Sequence, residues 1–180
     1  MLVINPLQAD TLNEALSKVL PGGYVVLYQG KQKSWWPHRE GVVILSTDNQ
    51  FLLNGRHPLY TGEWHSKHSD PEGVIIRLGK EYFLNGARPA LTNQEMLDRK
   101  PSRLTVVRGE ICRDGIPIYS GEWHAYQEHP DGVVIQRGNQ IILNGTTLLY
   151  DDHWNSRWSV HPHGLAIDVW DEIRLYSTPK

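Results

Sequence analysis

Four stretches of the chain concentrate the side chains that could do chemistry: "SWWPHREG" from Ser34, "GEWHSKHSDPEG" from Gly62, "GEWHAYQEHPDG" from Gly121 and "DDHWNSRWSVHPHG" from Asp151. They carry six of the seven Trp, interleaved with His and acids. Flat aromatic faces that pack against sugar rings, beside polar groups that hydrogen-bond to hydroxyls, are what a glycan site needs. The residue types therefore nominate Trp35, Trp36, Trp64, His65, Trp123, His124, Trp154 and Trp158 as ligand-binding. His68, His129, His161, Glu63 and Glu122 would supply further hydrogen bonds. The competing reading makes the same Trp and Tyr a structural seal over a corner of the fold, with His-Pro as turn chemistry, because a residue that recurs in a repeat commonly serves the repeat.

Other chemistries are less well written. Nine His could supply imidazoles to zinc or copper, but their spacing changes from segment to segment and the single cysteine, Cys112, offers no paired thiolate. No metal site and no cofactor are expected. Lys and Arg number 18 against 20 Asp and Glu, and the basic residues are scattered, which argues against a nucleic-acid-binding face. One cysteine also excludes an internal disulfide. The start "MLVINPLQADTLNEALSKVL" has neither the cationic opening nor the unbroken apolar run of a secretory signal, and no stretch is long and apolar enough to span a bilayer. The expectation is an intracellular or virion-associated protein with no membrane span.

The elements that would position these residues come from a repeat. Gly41 and Gly73 stand 32 residues apart, as do Gly132 and Gly164, and each opens a similar run: "GVVIL", "GVIIRL", "GVVIQR" and "GLAIDV". A degenerate copy begins at Arg103. Each unit reads as three short strands, with Asn54-Gly55, Asn85-Gly86, Asp114-Gly115 and Asn144-Gly145 at the bend between the second and the third. Asn, Asp and Gly accept the left-handed backbone there at little cost. Ahead of the repeats, Leu12, Ala15, Leu16, Val19 and Leu20 recur at helical spacing, with Asp10 or Thr11 as cap and "PGG" as stop. A lone amphipathic helix before a β array suits a cap on the first repeat.

At "TLNEALSKVLPGGYVVLYQG" the sequence resembles the opening of right-handed parallel β-helix proteins of the pectin-lyase-like kind. That resemblance implies a three-strand coil in which Asn54, Asn85 and Asn144 stack into a ladder, with Asp114 departing from it. Val43, Ile75, Val106, Val134 and Ala166 would then form one inward row. Asp151 and Asp152 with His163 and Arg174 are loosely similar to the signatures of polygalacturonase-like members, but "YDDHW", "PHG" and "EIRLY" lack the Gly before the His and the final Lys. Asp168, Asp171 and Glu172 would be the acids for a lyase's calcium, or simply a solvated edge. "YTGEWHSKHSDPEGV" and "YSGEWHAYQEHPDGV" are also similar to membrane occupation and recognition nexus repeats, which form ribbons of antiparallel hairpins, although the period here is longer.

The fold expected on these grounds is all-β: a short right-handed parallel β-helix of about five turns with an N-terminal capping α-helix. It is one domain over 1–180, with a strand and helical cap in 1–23 and coils in 24–180. The expected function is a non-enzymatic structural or binding module. It would recognise glycan through the Trp/His loops, or join a larger virion or surface assembly, or a homo-oligomer, through an uncapped C-terminal end at "DVWDEIRLYSTPK". The alternatives are a polysaccharide hydrolase or lyase on the same coil, and a hairpin-repeat protein.

Overall fold

The computed structural model describes residues 12–20, 23–99, 103–154 and 157–177. In chain order these form α1 (Leu12–Ser17) and β1 (Tyr24–Gln29), then β2 (Ser34–His38), β3 (Gly41–Leu45), β4 (Phe51–Leu53) and β5 (His57–Tyr60). Next come β6 (Ser66–Asp70), β7 (Gly73–Leu78), β8 (Glu81–Leu84), α2 (Asn93–Asp98), β9 (Leu104–Val107), β10 (Glu110–Arg113) and β11 (Ile116–Tyr119). The chain continues through β12 (Ala125–His129), β13 (Gly132–Arg137), β14 (Gln140–Leu143), β15 (Thr147–Asp151), β16 (Trp158–His161), β17 (Gly164–Val169) and β18 (Glu172–Ser177).

The all-β expectation holds, but the parallel coil does not. The strands make five separate antiparallel sheets, ordered β2-β3-β4-β5, β6-β7-β8, β9-β10-β11, β12-β13-β14-β15 and β16-β17-β18-β1. In a coil the partner of Val134 would lie a full repeat away; here it is Leu143, across a hairpin. Each of these short bends reverses the chain, so consecutive strands pair with one another, whereas in a coil the same bend would lead to the next face. The hairpin-ribbon alternative shares the antiparallel pairing, yet these units are meanders of three or four strands. The segments read from sequence as Trp/His loops each contain a further strand: β2, β6, β12 or β16.

Those four strands are the innermost of their sheets. β2 contacts β6, β12 contacts β16, and β16 contacts β2. Arg99, just past α2, binds Asp70 of the second sheet, and Arg113 of the third binds the β12–β13 hairpin of the fourth. The sheets thus follow one another around a common axis, the arrangement of a β-propeller. The first and last strands close the ring: β18 lies between β17 and β1, so it is not the open end expected of a solenoid. α1 is no end cap either. Leu12 and Ala15 are buried, with Leu16 and Val19 beside them, in a cluster shared by Val25, Trp35, Ile44 and Leu175, so the helix seals the seam between the fifth and first blades. The caps assigned to Asp10 or Thr11, and the Pro21-Gly22 part of the stop, lie outside the described residues.

The Asn residues act within blades. Asn54, Asn85 and Asn144 take φ of 55°, 52° and 54°. Their Oδ1 atoms accept the N–H of Val42, Val74 and Val133 at 3.0, 2.9 and 3.0 Å. Their Nδ2 atoms donate to the carbonyls of Glu40, Glu72 and Asp131 at 3.2, 3.1 and 3.0 Å. Each carboxamide therefore clamps the start of its blade's second strand, and no ladder between repeats forms. It also fills the space beside Gly41, Gly73 and Gly132, where any Cβ would collide with it.

The Tyr residues act between blades. Tyr28, Tyr60, Tyr119 and Tyr150 each donate their hydroxyl to the carbonyl three residues on: Lys31, Glu63, Glu122 and His153, at 2.9, 2.6, 2.8 and 2.6 Å. The rings of Tyr28, Tyr60 and Tyr119 lie over Gly55, Gly86 and Gly145 of the following blade, and Tyr150 meets Tyr176 at 5.2 Å. Among the described residues the second blade has no outer strand and no such Tyr, and nothing lies within 4 Å of where a Cβ on Gly115 of the third would stand.

Among the described residues the third blade also has no inner strand, and α2, with its Thr92–Glu95 capping box, precedes it in the chain instead. Val43, Ile75, Val134 and Ala166 of the expected inward row are buried, but Val106 is 42% exposed. The third blade's counterpart of Val134 is Leu104, which pairs with Arg113 as Val134 pairs with Leu143 and is buried, so the row passes through Leu104 and Val106 lies two residues beyond it.

Candidate functional site

Trp35 and Trp36 in β2 and Trp158 in β16 are only 1%, 4% and 6% exposed. The Trp36 indole donates to the Gly73 carbonyl at 2.8 Å and that of Trp158 to Gln136 Oε1 at 3.0 Å. Trp64, Trp123 and Trp154 are half-buried in the connections, each in a different apolar cluster. Trp64 packs on Phe51 at 5.6 Å, and Trp123 sits edge-on to Tyr126 at 5.0 Å. His65 and His124 are exposed, and their Nδ1 atoms accept the N–H of Gly79 and Gly138 at 2.8 and 3.2 Å. The structure distributes these eight residues around the ring and does not bring them into one groove.

The loosely enzyme-like set is dispersed as well. Asp151 ends an outer strand, His163 sits in the inner hairpin of the fifth blade, and Arg174 is paired with Glu172 at 2.7 Å. Glu172 also accepts from Gln29, and the Asp171 carbonyl accepts from Gly30. Among the described residues no group of three His, Cys, Asp or Glu is placed to hold a metal ion.

The inner strands converge on something else. Three residues before each hairpin glycine stand His38, Asp70, His129 and His161, all buried. Each accepts, through Nδ1 or Oδ1, the N–H two residues on: Glu40, Glu72, Asp131 and His163, at 3.0, 2.9, 3.0 and 3.0 Å. This fixes the hairpins around a cavity of about 970 Å³ on the axis. Pro37, Pro71, Pro130 and Pro162 give it apolar walls.

On the side of the third blade, where the described residues include no inner strand, three arginines line the cavity. Arg99 binds both Asp70 carboxylate oxygens, at 3.0 and 2.9 Å, and Glu72 at 3.3 Å. Arg113 donates to the His129 carbonyl and to that of Gly132, the latter at 2.7 Å, and holds its Nε 3.6 Å from Glu128. Arg103 pairs with Asp114 at 3.3 Å and Glu128 at 3.8 Å. The hydrogen bonds to Asp70 hold the Arg99 guanidinium above its ordinary range.

The histidines stay neutral at pH 7. Burial pushes His161 down to about 4, and it lowers His38 and His129 too. Because His161 Nδ1 is an acceptor, its proton sits on Nε2, which donates to the Gly41 carbonyl at 2.8 Å.

Sequence reasoning nominated His129 and His161 only as loop donors and missed Asp70, Arg99, Arg103, Arg113 and Glu128. One signal was available, the constant three-residue offset from the hairpin glycine. The arginines carried none, since they mark what is absent from the third repeat. No helix among the described residues is long and apolar enough to cross a membrane. Comparisons with protein-family models, curated proteins and solved structures found no match for this chain.

Proposed function

We propose that the protein is a non-catalytic binding module whose ligand, a neutral sugar or similar polyol, sits in the axial cavity. One observation carries this reading: guanidinium and carboxylate groups held in ion pairs, with the buried Arg113 Nε left without a hydrogen-bond partner among the described residues, line a space with proline walls. Paired groups of this kind retain outward N–H donors and oxygen lone pairs in fixed planes, which vicinal hydroxyls can bridge while C–H faces rest on apolar walls. The site thus moves from the Trp loops to the axis, and the Trp residues hold the blades around it. Titration with neutral mono- and oligosaccharides, followed by calorimetry and by chemical-shift changes at Arg103 and Glu128, tests it. Saturable binding that weakens in Glu128→Gln, with the sugar recovered intact, supports a module. Cleavage products would support the enzyme alternative, and no binding to any sugar would remove the proposal.

A second reading, membership of a larger assembly, is favoured by the third blade. β9 has one strand partner, β10, among the described residues, and its Val106 and Val107 are 42% and 52% exposed. An open strand edge with apolar side chains is a surface on which another chain can pair. Sedimentation of the wild type and of Val107→Lys would show concentration-dependent association only in the former.

A further inference from the structure

At the end of the axis opposite the cavity, the inner strands begin. There β2 and β6 bring Ser34 and Lys67, and Arg157 precedes β16. Arg157 Nη1 donates to Ser34 Oγ at 3.2 Å, and its guanidinium carbon lies 5.6 Å from the Trp35 ring centre. Lys67 Nζ lies 5.1 Å from the Trp36 ring centre. Among the described residues neither cation has a carboxylate within salt-bridge reach, whereas Arg99, Arg103 and Arg113 at the other end all do. Burial lowers both Lys67 and Arg157 below their ordinary values, and the charge of Arg157 lowers Lys67 further. Contact with an aromatic face offsets only part of the cost of desolvating a cation. Two like charges, partly stripped of water and leaning on Trp faces, thus stand without a carboxylate in salt-bridge reach among the described residues.

We propose that Lys67, Arg157 and the Ser34 hydroxyl form an oxyanion site that takes a phosphate group. The planar guanidinium presents paired donors to two oxygens, the ammonium adds a point charge to a third, and the location on the axis, walled by buried Trp, strengthens the attraction. This site is independent of the cavity and does not rest on the sugar reading.

The test is titration with inorganic phosphate and, in parallel, glycerol phosphate, read by calorimetry and by NMR of the Lys67 side chain. Saturable millimolar binding is expected, with the Lys67 titration midpoint moving upward as phosphate fills the site. Preference for the ester over the free ion would identify a phosphorylated molecule as the ligand; the reverse would identify phosphate itself. Lys67→Gln and Arg157→Gln should each weaken binding by about tenfold or more, as expected for loss of a charged hydrogen bond, while Arg137→Gln, exposed on β13, leaves it unchanged. A Lys67 midpoint that ignores phosphate in the wild-type protein, or affinity unaltered in both Gln variants, would overturn the proposal.

Discussion

The carboxamide of Asn144 occupies the space beside Gly132, accepting the Val133 N–H at 3.0 Å and donating to the Asp131 carbonyl at 3.0 Å. One side chain thus ties the end of β14 to the start of β13, and Asn54 and Asn85 do the same in their blades. Asn144→Ala removes both hydrogen bonds and leaves an alanine at φ 54°. The expected loss is about 2–4 kcal/mol, because the Val133 N–H is left without its carboxamide acceptor. Asn144→Gly relieves the backbone but not the lost bonds and should fall between the two. Urea unfolding of the three proteins gives the order, and an unchanged midpoint in Asn144→Ala would show that the clamp contributes nothing.

Between blades the Tyr residues carry the comparable role. Tyr119→Phe loses only the hydrogen bond to the Glu122 carbonyl, at a cost of about 1 kcal/mol. Tyr119→Ala also removes the ring over Gly145, and about 3–5 kcal/mol is expected, as for other large-to-small changes at buried aromatics. Tyr28→Ala makes the same deletion where the chain closes on itself, since β1 belongs to the last blade and Gly55 to the first. Amide hydrogen exchange should then rise in β18 and β1 together, not in β1 alone.

What the sequence showed and what it hid follow from the same residues. The repeat, the short strands, the Asn-Gly bends and the N-terminal helix are local signals, and all appear in the fold. The direction of pairing is not local: "IILNG" reads alike whether the next strand turns back beside it or stacks on another coil. Asn at left-handed φ suits either a ladder or a clamp, so Asn54, Asn85 and Asn144 supported the wrong choice. β2, β6, β12 and β16 were hidden because "SWWPH", "SKHSD", "AYQEH" and "WSVH" lack apolar alternation. They line a polar axis where His and acids are structural. The arginine cluster was invisible for a further reason, being defined by the strand that the third repeat omits.

That omission makes Arg99 and Asp70 a test of how the gap is held. Asp70 is 3% exposed and receives two bonds from Arg99, whose side chain is 26% exposed. Arg99→Met strands a buried carboxylate and is expected to cost about 3–5 kcal/mol, whereas Asp70→Asn/Arg99→Met should cost less than the sum of its single changes. Chemical denaturation of all four proteins completes the cycle. Strict additivity would mean that Glu72 alone suffices to hold Arg99 in the cavity wall.

The axial histidines should make stability fall in mild acid. His161 titrates near 4 in the folded protein because burial opposes its charge, with neighbouring His38 and His163 adding repulsion, against about 6.5 in an unfolded chain. Between those values the unfolded chain binds the extra proton, so the stabilisation is fully present above about 6.5 and is lost as the pH drops toward 4. For this one group the loss amounts to about 3 kcal/mol at most, and the lowered values of His38 and His129 act in the same direction. His161→Gln cannot take the proton, so its stability profile should be flatter across that interval, though lower at pH 7 if the Gly41 carbonyl loses its donor. Denaturation midpoints measured at intervals from pH 7 to pH 4 decide it: parallel curves for wild type and His161→Gln would place the acid sensitivity elsewhere than in His161.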